Sequence, residues 1–578
     1  MQAINTTLKP NQALIFRLTV GAIFGFLCGW LGKTQEMPHH LPDLWINVAL
    51  STLMLGAFVL WAGAGTMRRL SLAAWGVVAL ATIAFIALNH ATHGLPAENG
   101  NVLFFDDHAL IYPFLFIAHE LVSSADMTGK PVAPYSLYFD QAWKRGVQLA
   151  LAVLFTGLFW GILWLGAALL DFIGFNWLRE LLENQYFIGP TIGMALGAAV
   201  QLGDVQARLL GQVRAVALGV LSWLLPVITL IGLIFAASLC VSGLKPLWAT
   251  NAASLTLLSA CVALALLINA VYEQGDEERP VHAVLKWAAR LASGLLLAFA
   301  LLAAHSLHLR IHQYGLTPER VMATVGVFLA LLYGLGYAYA AVSPRGRWMA
   351  GLERVNVGLA FVMVVLFAAL LTPVAEPVRI SVASQVARLQ SGRVTPDRFD
   401  WQLLRFKAGT YGTEALDRLV KDGRTQAIRD AAAKAKATTD ETLLSGTVVP
   451  DTGKPDPARL AVVLPQGAAL PQDFLAGSYK MFAPGTTSNC LSAATTGATC
   501  YAAMVDLNHD DKPEILVLDG NQVTIYTRGD AGWRDIDGLY IDDSGVAAFQ
   551  KGKISTAKPD WDDVVIGDSR QTVNDVRK

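Results

Sequence analysis

The chain predicts a mostly α-helical fold: a polytopic transmembrane bundle of 10–11 spans, followed by a small helical neck and a β-rich extramembrane lobe. Three observations predict it. Apolar runs near 20 residues recur up to residue 373, and about 20 such residues cross a bilayer core. Only 15% of the 578 residues are charged, against about 25% in soluble chains, and mean hydropathy is +0.44. At Thr372-Pro373 the composition changes, giving a membrane domain over 1–373, a neck over 374–440 and a lobe over 441–578. A formal charge of -1 without a basic stripe argues against nucleic acid as a partner. Five cysteines in 578 residues argue against a disulfide-stapled secreted scaffold.

Ten spans are predicted near 13–31, 45–65, 70–89, 148–170, 186–203, 215–242, 252–271, 291–308, 321–342 and 356–373. The first reads as an anchor rather than a cleaved signal, because no small-residue cleavage site follows Leu31. The stretch 102–122 is apolar but for Asp106, Asp107, His108, His119 and Glu120. The positive-inside rule favours counting it as an eleventh span. Short-loop Lys and Arg then divide fourteen inside (among them Lys9, Arg68, Arg69, Lys144 and Arg145) to five outside (Lys33, Arg179, Lys245, Arg310 and Arg320). The N-terminus is expected inside and the C-terminus outside. A re-entrant or interfacial 102–122 is the competing reading, and Pro113 in its middle is expected to kink a true span.

Cysteine placement agrees with an exported lobe. Cys28, Cys240 and Cys261 fall in spans, where a thiol is a small apolar group. Cys490 and Cys500 lie ten residues apart in the lobe, and an oxidising compartment is expected to join them.

The neck reads as short helices ending near Gly392, Gly409 and Gly423, the residue type expected just past a helix. Lys434–Asp440 and 446–458 read as the hinge to the lobe. Beyond it RLAVVL, YAAMV, EILVL and QVTIYT read as strands. Between the second and third, DLNHDDKPE places Asp506, Asn508, Asp510 and Glu514 at loop positions 1, 3, 5 and 9. Alternate positions in a tight loop point inward, so these oxygens and the Lys512 carbonyl form a shell suited to a structural Ca²⁺. Asp511 stands where glycine usually makes the sharp turn.

An ionisable residue at bilayer depth costs a few kcal/mol, so each is a functional candidate. Asp106, Asp107, His108, His119 and Glu120 read as a proton or cation path, or else as charged ends of a dipping segment. His305, His308 and His312 share a helix face near Arg310, Tyr314, Glu319 and Arg320 at a span boundary. They read as an interfacial polar face rather than a zinc site, since no carboxylate or cysteine accompanies them. Gly193-x-x-x-Gly197 and Gly334-x-Gly336 suit close helix packing. Gly189-Pro190 and Pro226 read as breaks of the kind found at transporter sites. Trp143, Trp177, Trp248, Trp287 and Trp348 near span ends form an aromatic belt. No nucleotide-binding, hydrolase, haem or iron–sulfur motif is present in the sequence.

Three stretches resemble the bacterial inner-membrane proteins grouped as domain-of-unknown-function family 4153: YSLYFDQAWKRGVQLALAVLFTGLFW (135–160), RIHQYGLTPERV (310–321) and PVRISVASQVARLQSGRVTPDRFDWQLLRFKAGTYGTEAL (377–416). The resemblance covers most of 10–425 and implies a multi-spanning inner-membrane protein with an exported tail, without bringing an activity. Residues 500–530 resemble a single FG-GAP, integrin-type calcium-loop repeat. The expected function is an envelope sensor, scaffold or assembly factor, with the lipid bilayer as its surroundings and an envelope protein as partner through 441–578. A secondary transporter or channel, and a membrane-embedded enzyme acting on lipid or an envelope polymer, stay open beside it.

Overall fold

The computed structural model describes residues 6–34, 42–93, 110–243, 253–275, 281–343, 347–438, 460–476, 500–529, 532–556, 564–566 and 569–571. It divides into two compact units, Met1–Arg393 with Leu403–Arg424, and Val394–Gln402 with Thr425–Lys578. The composition break at 373 is thus not the break between compact units.

The first unit is helical: α1 (Pro10–Thr34), α2 (Asp43–Gly63), α3 (Arg69–His93), α4 (Ile111–Thr128), α5 (Tyr135–Asp171), α6 (Trp177–Glu183), α7 (Gln185–Val205), α8 (Ala207–Ser242), α9 (Ala253–Tyr272), α10 (Ala283–Tyr314), α11 (Pro318–Val342) and α12 (Gly351–Leu370), then α13 (Pro377–Gln390) and α14 (Gly409–Asp422). Among the described residues ten helices are long and apolar enough to cross a membrane: α1–α3, α5 and α7–α12. Each overlaps a predicted span. A helix satisfies its own backbone polar groups, which is why such apolar segments adopt it where water is excluded.

The helix expected over 102–122 lies instead at Ile111–Thr128, and Asp106, Asp107 and His108 fall outside the described residues. Pro113 is the third residue of α4. In a first turn a missing N–H breaks no helical bond, so it needs no kink. Pro190 and Pro226 likewise lie inside α7 and α8, which continue through them. Neither is a broken helix.

Successive long helices run antiparallel, which defines a proximal end, where the chain enters α1, and a distal end, where α13 follows α12. The helix α4 runs between these ends. At its start Ile111 and Phe114 pack with Ile86, Val321, Leu370 and Leu371; near its finish Asp126 pairs with Arg68 before α3. The tightest packing joins α1 to α7. A Cβ on Gly21, Gly25 or Gly29 would strike the backbone of Gly193, Gly189 or Gln185, respectively. Glycine at these positions lets the two backbones touch.

The neck helices α13 and α14 belong to this unit. Gly392 takes the left-handed φ of 75° that its place after α13 predicts. Gly409 is left-handed at φ 52° after the helical stretch that closes with a π turn at Leu403–Lys407, and it also opens α14. Gly423 directly follows α14 as predicted, but with a φ of -57° instead of a left-handed one.

The second unit holds α15 (Gln426–Ala437), so Lys434–Ala437, expected in a hinge, are helical. A five-stranded sheet follows in the order β1 (Leu460–Leu464), β2 (Cys500–Val505), β3 (Glu514–Asp519), β4 (Gln522–Gly529), β5 (Gly532–Tyr540), with β1 parallel to β2 and the remaining pairs antiparallel. Helices α16 (Gln472–Ala476) and α17 (Asp543–Gln550) accompany it, and β6 (Val564–Ile566) pairs with β7 (Ser569–Gln571). Alternating side chains build two cores. Ala502, Ile515, Val517 and Tyr526 meet Phe474 on one face; Ala503, Leu516, Leu518 and Ile525 meet Phe549 on the other. The four predicted strands are present, and β5 was not foreseen.

Candidate functional site

The buried Arg17, Glu120, Arg145, Gln148 and Gln201 gather at the proximal end of the bundle. Arg17, two turns into α1, is wholly buried. Its Nε donates to Trp61 O at 3.0 Å and its Nη2 to Ala64 O at 2.6 Å and Asp204 Oδ2 at 2.5 Å, while Nη1 donates to Gln201 Oε1. Lys144 Nζ lies 2.9 Å from the other Asp204 oxygen. Gln201 donates to Pro10 O and Gln148 to Val200 O. One carboxylate at the end of α7 therefore binds cations from α1 and α5, and Arg17 extends the grip to the last turn of α2.

A second knot adjoins it. Arg145 Nε is 2.6 Å from Glu120 Oε1, and its Nη groups donate to Ala62 O at 2.5 Å and Thr66 Oγ1 at 3.2 Å. His119 Nδ1 accepts the Trp75 indole N–H at 3.1 Å. Arg68 meets Asp126 at 2.7 Å. Across the same end, Asn269, Tyr337 and Asn356 close a ring of 2.6 Å hydrogen bonds that Tyr135 joins at 3.2 Å, while Arg214 pairs with Asp140 at 2.5 Å.

Taking charges out of water costs several kcal/mol per ion, recovered only when each is paired and its remaining donors are bonded. Arg17 and Arg145 meet that condition. Their bonds are to helix ends and to the carboxylates of Asp204 and Glu120, which makes them fasteners between α1, α2, α4, α5 and α7. Among the described residues no three His, Cys, Asp or Glu side chains form a group able to hold a metal ion.

Of the sequence candidates, His119 and Glu120 enter this network. His305, His308 and His312 lie on an exposed face of α10. The residues after them form a seat for the neck. Arg388 of α13 donates to His312 O and Gln313 O at 3.2 and 2.7 Å, and Gln385 to Tyr314 O and Leu316 O. Arg320 donates to Gly315 O, with its guanidinium 5.4 Å from the Tyr314 ring centre. Glu319 sits exposed in the first turn of α11, and Arg310 near the end of α10. Tyr411 of α14 stacks on His93 at 5.0 Å and donates to Glu376 at 2.6 Å. Burial, together with that carboxylate, pushes its phenol above the ordinary value.

In the lobe, Asp511 of the loop between β2 and β3 is left-handed at φ 64°. The oxygens of Asp506, Asn508 and Asp510 accept loop N–H groups, those of Asp506 at 3.2 Å from Asp510 and 3.0 Å from Asp511. Glu514, 3% exposed, accepts from Leu507 N and Thr527 Oγ1. Cys500 is buried at the head of β2, and Cys490 lies outside the described residues.

Sequence reasoning missed Arg17, Asp204, Lys144 and the Asn269–Tyr337–Asn356 ring. The signal was present for Arg17, a cation inside an apolar run, and for Asp204, which closes another. No protein-family model, curated protein or solved structure matches the chain.

Proposed function

We propose that this chain is a multi-pass protein of the bacterial inner membrane that acts as an envelope scaffold, sensor or assembly factor, holding an exported lobe on a rigid anchor. The observation that carries this reading is the mutual pairing of Arg17, Asp204 and Lys144, and of Arg145 and Glu120. Charges spent on fastening five helices at one end serve rigidity rather than passage of a solute. The orientation is supported by Lys9, Arg68, Arg69, Lys144 and Arg145 at the proximal end, the side the positive-inside rule assigns to the cytoplasm. With α4 counted, eleven helices join the two ends, so the neck leaves on the periplasmic side.

A cation-stabilised lobe belongs to the same proposal, with Asp506, Asn508, Asp510, the Lys512 carbonyl and Glu514 as the residues that would hold Ca²⁺. So does a Cys490–Cys500 disulfide: Cys500 is the one described cysteine that is not a free thiol. The partner is an envelope protein bound through 441–578.

Ion flux separates this reading from a transporter. Purified protein in liposomes is expected to leave proton, sodium and potassium gradients as protein-free liposomes do. Flux above that background that disappears in Glu120→Gln would replace the scaffold with a transporter.

A further inference from the structure

The bundle carries an amphipathic groove whose mouth holds the Arg68–Asp126 pair. Its floor is α4, shorter than the helices beside it, and its walls are α3 and α12. Two clefts meet there and share Trp75 and Val122. The outer cleft, about 500 Å³, opens at the proximal end among Arg68, Ser71, Asp126 and Lys130. The inner cleft, about 280 Å³, is lined by Phe114, Leu115, Phe361 and Val364 among others, almost wholly apolar. From Ser71 to Thr82, on α3, the groove runs about 16 Å at the helical rise of about 1.5 Å per residue. That exceeds the roughly 15 Å of hydrocarbon in one leaflet, half of a core of about 30 Å.

We infer that this groove binds one anionic glycerophospholipid of the proximal leaflet, with its phosphate at Lys130 and the outer edge of Arg68 and one acyl chain passing Trp75 into the inner cleft. Charge complementarity selects the head group. Asp126 neutralises one of the two cations at the mouth, which leaves one net positive charge where a lipid phosphate would lie. The polar-to-apolar gradient selects a lipid over a soluble anion, since a free phosphate has no use for Phe114 or Phe361. Long basic side chains at a membrane boundary reach head groups in this way.

The inference rests on the bundle being membrane-embedded, which extraction of cell membranes with alkali tests separately: release into the soluble fraction would sink that reading by itself. The groove is tested on the full-length protein in detergent micelles, incubated with equal amounts of phosphatidylglycerol and phosphatidylcholine and examined by native mass spectrometry. One retained phosphatidylglycerol, favoured about tenfold, is expected. Lys130→Ala is expected to erase the preference. Ala74→Trp and Val78→Trp, at exposed positions lining the outer cleft, are expected to abolish retention with unfolding temperatures unchanged. Equal retention of both lipids by the parent protein would overturn the head-group assignment. Undiminished retention in a folded Ala74→Trp or Val78→Trp variant would overturn the groove.

Discussion

Asp204 Oδ2 lies 2.5 Å from Arg17 Nη2, joining the end of α7 to the start of α1 in the same pair of helices whose glycines let the backbones touch. The ion pair and the glycine contact are parts of one device. Close packing without side chains brings α1 and α7 together, and the charge pair fixes their register at the proximal end.

The two cations on Asp204 differ in weight. Asp204→Asn leaves Arg17 buried without its counter-charge, and is expected to cost about 3–5 kcal/mol. Lys144, whose side chain is 29% exposed, stands nearer solvent, and Lys144→Ala is expected to cost about 0.2–1 kcal/mol. Denaturant unfolding of both variants in the same micelle checks this. Equal losses would show that the cluster does not work as a fastener.

Glycine-to-leucine changes separate contact from open surface. Gly25→Leu drives a side chain into the backbone of Gly189, and is expected to exceed the about 1–3 kcal/mol of ordinary overpacking. Gly157, on α5, has no atom within 4 Å of its Cβ position, so Gly157→Leu is expected to stay within about 0.5 kcal/mol. Unfolding temperatures of the two variants decide it, and a tolerated Gly25→Leu would contradict the packing.

If the loop of Asp506 binds Ca²⁺, saturating the full-length protein to 100 times the dissociation constant stabilises the lobe by about 2.7 kcal/mol. Protection of the lobe from protease in Ca²⁺ over chelator, lost in Asp506→Asn, is the expected outcome. Equal digestion in both would remove the cation from the account.

Asp542 caps α17, accepting from Gly545 N at 2.8 Å and Ser544 Oγ at 2.9 Å. The Gly545 N–H, foremost, holds its carboxyl below the usual carboxylate range. A depressed folded value means that its stabilisation is present above the unfolded value of about 3.9 and is lost as pH falls through the folded one. Acid titration of the lobe's unfolding is expected to show this loss below about pH 4. Asp542→Asn, which caps without titrating, is expected to remove that component while leaving neutral-pH stability nearly unchanged.

Span positions were legible because long apolar runs have few alternatives: each of the ten helices overlaps its predicted run. The helix α4 was misplaced because Asp106–His108 and His119-Glu120 bracket a run that looks like a span, whereas the helix continues through Ser123 and Asp126, which are met by Arg145 and Arg68. Strand β5 was hidden because GWRDIDGLY mixes charges with apolar residues, as an edge strand with partly exposed side chains does. The pairing of Arg17 with Asp204 joins residues 187 apart. Periodicity can mark each as a charge near an apolar run, but only the α1–α7 packing brings them together. The neck seat was half legible: Arg310 to Arg320 was marked as a polar boundary, while its clamping by Arg388 and Gln385 depends on where α13 folds back.

The central claim is an anchor whose N-terminus and lobe lie on opposite sides of the membrane. Alkaline phosphatase, active only after export, fused after Lys578 and separately after Gly129 tests it most directly. Activity at Lys578 with silence at Gly129 is the predicted result. Silence at Lys578 from an expressed fusion would place the lobe in the cytoplasm, and would contradict the periplasmic scaffold and its disulfide together.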